Sequence, residues 1–86
     1  MNFDYSFSID LHGQDTTEAT ASVLNALFSF EQNRNYEFFD IITGNGSGAL
    51  KFVVLDLLEK ERYNYRFLNQ SQSAIRVFKR FKRHFD

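Results

Sequence analysis

The period of the apolar residues changes along this chain, and the order of those changes limits what it can fold into. Phe7, Ile9 and Leu11 alternate with Ser8, Asp10 and His12, which is the two-residue period of a strand with one apolar and one polar face. Asp15 then stands where a helix N-cap belongs, with Glu18 three residues on as its capping-box partner. Ala19, Val23, Ala26, Leu27 and Phe30 follow at helical spacing, so the pattern predicts a helix from about residue 16 to about residue 32, broken by Asn33, Arg34 and Asn35. The run Phe38, Phe39, Asp40, Ile41, Ile42 is short, mostly apolar and bounded by turn residues, as an interior strand would be. Leu50, Val53, Val54, Leu57 and Leu58 return to helical spacing. Tyr63, Tyr65 and Phe67 then alternate with Asn64, Arg66 and Leu68, NQSQS marks a turn, and Ile75 and Val77 alternate with Arg76 and Phe78.

The order is therefore β-α-β-α-β-β, an α/β chain with a mixed four-stranded sheet and both helices on one face. Crossovers of this length favour parallel neighbouring strands, and their right-handed sense puts the two helices on the same side. A chain of 86 residues is one domain, with its core between about residues 7 and 79 and a basic tail over 80–86. It has no cysteine, which removes disulfides, thiolate nucleophiles and cysteine-ligated metals. No apolar run approaches the roughly 20 residues of a membrane helix, and MNFDYSFS has no basic n-region. The expected setting is the cytoplasm, without a membrane partner, and nothing in the pattern announces an oligomeric state.

Charge is unevenly spread. Up to Glu59 the acids Asp4, Asp10, Asp15, Glu18, Glu31, Glu37, Asp40, Asp56 and Glu59 face only Arg34 and Lys51, a balance of minus seven. From Lys60 onward eight bases (Lys60, Arg62, Arg66, Arg76, Lys79, Arg80, Lys82, Arg83) face Glu61 and Asp86, a balance of plus six. A basic C-terminal third can bind a polyanion, with Arg76, Lys79 and Arg80 as candidate contacts, or can be a solvated tail. Tyr63, Tyr65, Phe78 and Phe81 are available either to stack on bases or to fill the core.

Two strand-to-helix junctions carry the chemistry. In IDLHG, at residues 9–13, strand alternation projects Asp10 and His12 to the same side, away from Ile9 and Leu11. Imidazole suits proton transfer near neutrality, and Asp10 is placed to orient its ring or stabilise its cation. In TGNGSGAL, at residues 43–50, Gly44, Gly46 and Gly48 allow positive φ and close approach, and the helix start that follows offers unpaired amides to an anion. Thr43, Asn45, Ser47 and Lys51 complete a candidate phosphate cradle, although spaced glycines before a helix also serve as plain tight connections. The loop lacks the Gly-Lys-Ser/Thr ending of a P-loop and departs from the G-x-G-x-x-G dinucleotide pattern. With only His84 as a second histidine, zinc has too few ligands, whereas Mg²⁺ held by Asp10 with waters and substrate phosphates is compatible with the residues.

IDLHG, the Glu18-Ala19 pair in the first helix and TGNGSGAL together resemble the Smr (small MutS-related) domain, whose signatures are LDLHG and HG-x-G-x-G. The resemblance runs from Ile9 to about Lys79. It implies an architecture similar to the C-terminal domain of bacterial translation initiation factor three, and an activity as an endonuclease that nicks DNA or cuts RNA. Carried onto this chain, it implicates Asp10, His12, Gly44 and Gly46. Thr43 stands where many members have histidine, which counts against a two-histidine mechanism; the Smr domains of plant organellar pentatricopeptide-repeat proteins often carry a TG-x-G form. The resemblance also implies an alternative, a non-catalytic module that grips nucleic acid or a ribosome, and it leaves open a small protein in its own right or a domain cut from a larger MutS-related chain.

Overall fold

The computed structural model describes residues 6–46 and 48–80. Six elements follow one another: β1 (Ser6–Asp10), α1 (Thr16–Gln32), β2 (Phe38–Ile42), α2 (Ala49–Lys60), β3 (Tyr65–Phe67) and β4 (Ala74–Phe78). Asp15 caps α1 as its spacing requires, accepting from the Glu18 amide at 2.7 Å while the Glu18 carboxylate accepts from the Asp15 amide at 2.9 Å. At the other end the chain leaves the helix at Asn33 in extended backbone. There the Lys79 ammonium donates to the carbonyls of Phe30 and Asn33, supplying partners that the last helical turn cannot find within itself.

The sheet order is β1-β2-β4-β3. β1 and β2 pair in parallel, as the first crossover predicts, but β2 and β3 are not neighbours. β4 lies between them, antiparallel to both. The second crossover thus spans two strand positions, and the last strand fills the gap it leaves. β3 is also shorter than the alternation from Tyr63 to Leu68 suggests, because Tyr63 drops into the core ahead of the strand and is only 6% exposed.

The core lies between the sheet and the helices. Ala19, Val23, Leu27 and Phe30 of α1 and Val54 and Leu58 of α2 close over Phe39, Ile41, Ile75 and Val77. Phe7 stacks on Phe39 with ring centroids 4.8 Å apart, and Phe30 meets Phe39 edge-on at 4.9 Å. Such aromatic pairs add about 0.5–1.5 kcal/mol each beyond the area they bury. The opposite sheet face carries the alternate residues, among them Asp40 and Arg76, which pair across β2 and β4. Because β1, β2 and β3 run the same way, their C-terminal ends share one pole with the starts of both helices. The turns after β1, β2 and β3 gather there.

Candidate functional site

At this pole a tight turn follows β1. Gln14 donates its amide to the Leu11 carbonyl at 2.9 Å, and Gly13 in the third turn position has a φ of 85°. That is the requirement of a type II turn, and it explains why glycine follows histidine here. His12 is therefore a turn residue beyond the strand rather than its last polar position. The Asp10 carboxylate accepts from the His12 backbone amide at 2.9 Å, so its contact in the structure is to the main chain that carries the imidazole. Both side chains are exposed.

The glycine loop leaves β2 beside this turn. The Leu11 amide donates to the Ile42 carbonyl at 2.8 Å, extending the parallel ladder one residue past β1 and fixing the two turns against each other. Gly44, with a φ of 82°, then passes directly under the imidazole: a Cβ built on it would lie 3.2 Å from His12 Cδ2. Only a residue without a side chain leaves the ring where it is. The two motifs are thus in contact.

Gly48 ends the loop as the N-cap of α2 with a φ of 94°, and no side chain among the described residues caps that helix. α1 begins at the same pole, but there the Asp15 carboxylate takes the Glu18 amide and puts its own negative charge at the helix start. Of the two helix starts, that of α2 is the better suited to an anion, because no acidic residue stands in its first turn. A cavity of about 420 Å³ opens between them, with Asp15, Thr16, Gly44, Gly46, Gly48 and Lys51 in its wall. The Lys51 ammonium donates to the Gln72 side-chain carbonyl at 3.0 Å.

Thr43 is 5% exposed. Its amide donates to the Ser73 carbonyl at 2.8 Å, and its hydroxyl lies 3.3 Å from that same oxygen and 3.5 Å from the Gly44 carbonyl. The hydroxyl hydrogen offered by sequence to a phosphate is here directed at backbone. Asn45 and Gly46 are exposed at the loop tip, while Ser47 lies outside the described residues.

The basic candidates of the C-terminal third stand elsewhere. Arg76 makes a two-pronged pair with Asp40, at 2.8 and 3.0 Å, and lies over the Phe38 ring at 3.9 Å. The Asp40 carboxylate holds the Arg76 guanidinium above its ordinary pKa. Lys79 is fixed at the end of α1, about 25 Å of helix away from Asp15 at 1.5 Å per residue over 17 residues. Arg80 is at that same far pole, donating to the Glu61 carbonyl at 3.3 Å, 3.6 Å from the Glu31 carboxylate and over the Tyr63 ring. Phe81, Lys82, Arg83 and His84 lie outside the described residues. Tyr63, a stacking candidate in sequence, is packed near Phe30 with its hydroxyl on Glu31 at 3.0 Å.

Sequence reasoning passed over Gln14, Asp15 and Thr16 as cavity wall and Gln72 and Ser73 as neighbours of the glycine loop. Asp15 was visible only as a cap. The NQSQS segment read as a plain turn, and its place beside Thr43 depends on β4 running between β2 and β3. Among the described residues no three His, Cys, Asp or Glu side chains gather, as an all-protein metal site would need. Among them, too, no helix is long and apolar enough to cross a membrane.

Comparison with known proteins agrees with this architecture. The Smr domain model matches residues 9–75. The Smr domain of Thermus thermophilus MutS2 superposes with a TM-score of 0.74 at 21% identity, over 83% of this chain and 94% of that one. The Smr domain of NEDD4-binding protein 2 gives 0.74 at 19% identity, over 100% and 98% of the two chains. The human small-MutS related domain gives 0.67 at 24% identity, over 81% and 96%. Comparison with curated protein sequences gives no match. With the family model running from β1 into β4 and the fold shared with these solved domains, the chain belongs to the Smr domain family.

Proposed function

We propose that this Smr domain binds nucleic acid at the pole where its two motifs meet and cleaves a phosphodiester bond there, RNA ahead of DNA. The observation that supports this reading is the contact between the His12 ring and Gly44, an exposed imidazole against the loop that leads to the start of α2. A phosphate at that helix start receives main-chain donors and the helix dipole, with Lys51 close enough to add a point charge. His12 then takes the proton of an RNA 2′-hydroxyl, and the freed oxygen attacks the neighbouring phosphorus. The bond to the 5′-oxygen breaks, and that oxygen leaves with a proton from water.

Asp10 serves as a positioning residue in this scheme, because its contact is with the His12 amide. Mg²⁺ is commonly held by one or two carboxylates together with waters and substrate phosphates. The Asp10 oxygen not engaged by His12 is the ligand suited to it, and the ion would neutralise phosphate charge. Arg76, Lys79 and Arg80 contribute to the field that draws a polyanion in, rather than to contacts at the reacting phosphate.

The test is cleavage of single-stranded RNA and duplex DNA by the wild type, His12→Ala and Asp10→Ala, each with EDTA and with Mg²⁺. Loss of cleavage in His12→Ala with a smaller loss in Asp10→Ala supports the assignment, and equal activity in all three refutes it. A second reading, a binding module without chemistry that grips nucleic acid or a ribosome, is favoured by the buried Thr43 hydroxyl at the position where many members carry histidine. Salt-sensitive binding that survives His12→Ala, without cleavage under any metal condition, is its signature.

A further inference from the structure

Phe52 is 67% exposed, in the first turn of α2, although Leu50, Val54, Leu55, Leu57 and Leu58 of that helix lie in or against the core. Its ring rests against the loop: a Cβ built on Gly48 would lie 3.7 Å from Phe52 Cε2. The Lys51 ammonium is 5.7 Å from the ring centroid. The Cδ2–Cε2 edge of the ring thus lies toward the residue that opens the α2 amide cradle, with a cation nearby, while most of the ring meets solvent. Phe28 is equally exposed, but it lies in the last turns of α1 near Leu24 and Glu31, at the pole away from both motifs.

An exposed aromatic plane beside a phosphate cradle has the form of a stacking platform. Single-strand binders combine a cationic backbone track with rings on which unpaired bases lie, and any base serves because each has a π-face. A duplex keeps its bases stacked on one another and offers none to such a ring. We infer that Phe52 stacks on an unpaired nucleobase next to the phosphate held at the start of α2, so that the site takes single-stranded, base-bearing nucleic acid in preference to duplex. This rests on the proposed function and narrows its substrate class.

The experiment uses the chain's lack of tryptophan, which makes Phe52→Trp the sole indole, excited selectively over the tyrosines, in the stacking position. The probes are oligothymidylate of about eight nucleotides, within the site sizes single-strand binders use, an abasic strand of equal length and charge, and the same sequence as duplex. The absence of a 2′-hydroxyl keeps them intact. Expected results are quenching of Phe52→Trp by oligothymidylate and not by the abasic strand, and affinity for oligothymidylate roughly 5- to 150-fold weaker in Phe52→Ala. Phe52→Leu should be as weak as Phe52→Ala, since it keeps apolar area without a ring face. Unchanged thermal midpoints would show that the variants fold.

Equal affinity for base-bearing and abasic strands, or recovery of binding by Phe52→Leu, overturns stacking while leaving phosphate binding intact. Sedimentation showing that Phe52→Ala abolishes self-association without changing oligonucleotide affinity overturns it in favour of a protein contact. No binding of any strand by the wild type removes both this inference and the reading beneath it.

Discussion

Three glycines at the functional pole provide a graded test of how His12 is held. Gly13 and Gly44 have nearly equal positive φ values, 85° and 82°, but differ in surroundings. A Cβ on Gly13 meets nothing within 4 Å, whereas one on Gly44 meets His12 Cδ2 at 3.2 Å, closer than an ordinary contact. Gly46 has no positive φ in this range and open space around it. Left-handed backbone costs a residue with a Cβ about 1–2 kcal/mol, partly offset by about 0.4–1 kcal/mol from a less flexible unfolded chain. Gly13→Ala should therefore lose about 1 kcal/mol and lower Tm by about 4–8 °C. Gly44→Ala carries the same strain and also pushes the imidazole off its rotamer, adding about 0.5–1.5 kcal/mol. Gly46→Ala should be neutral or gain up to about 1 kcal/mol.

The difference between the first two variants isolates the ring contact. It is read by thermal or urea unfolding, by the His12 ring resonances in NMR, and by the cleavage assay. Gly44→Ala should move those resonances and lower turnover by about tenfold, given that about 1 Å of misplacement can cost roughly a hundredfold. Gly46→Ala should leave the resonances in place. Equal stability loss in Gly13→Ala and Gly44→Ala, with the His12 resonances of Gly44→Ala unmoved, would refute the claim that Gly44 is kept bare by the imidazole.

Three further predictions separate binding from stability. Asp15→Ala breaks the capping box and should lower stability by about 1 kcal/mol, whereas Asp15→Asn keeps a capping oxygen, removes a negative charge from the cavity wall and should tighten polyanion binding in a low-salt titration. Lys51→Gln should reduce the slope of log K against log salt by about one, while Arg76→Gln, which breaks the Asp40 pair, should lower Tm and leave that slope unchanged. Burial first, and then its hydrogen bond to Glu31, raise the Tyr63 pKa well above the usual tyrosine range. The folded state consequently keeps that proton after the unfolded chain has lost it, so the stabilisation is whole below pH about 10 and declines above it by about 1.4 kcal/mol per pH unit. Alkaline urea titrations of Tyr63→Phe should lack this component, and a decline as steep as the wild type's would contradict it.

The sequence determined most of the secondary structure and the meeting of its two motifs through local physics. Capping at Asp15, the helical spacing from Ala19 to Phe30 and the strand alternation act over a few residues, so α1 and β2 lie where the pattern puts them. The same local rules brought IDLHG and TGNGSGAL to one sheet end, because parallel strands joined by a helix must finish side by side. Tertiary structure decided what lies across from each residue. Insertion of β4 between β2 and β3 set Ser73 on Thr43 and Gln72 on Lys51, drew Arg76 onto Asp40, and carried Lys79 and Arg80 to the far pole. A run of basic residues in sequence has no fixed direction in space until strand order assigns one. Phe52 shows the same divide: it lies off the apolar stripe of α2, so helix spacing turns it outward, and only the tertiary structure sets its ring beside Gly48 and Lys51.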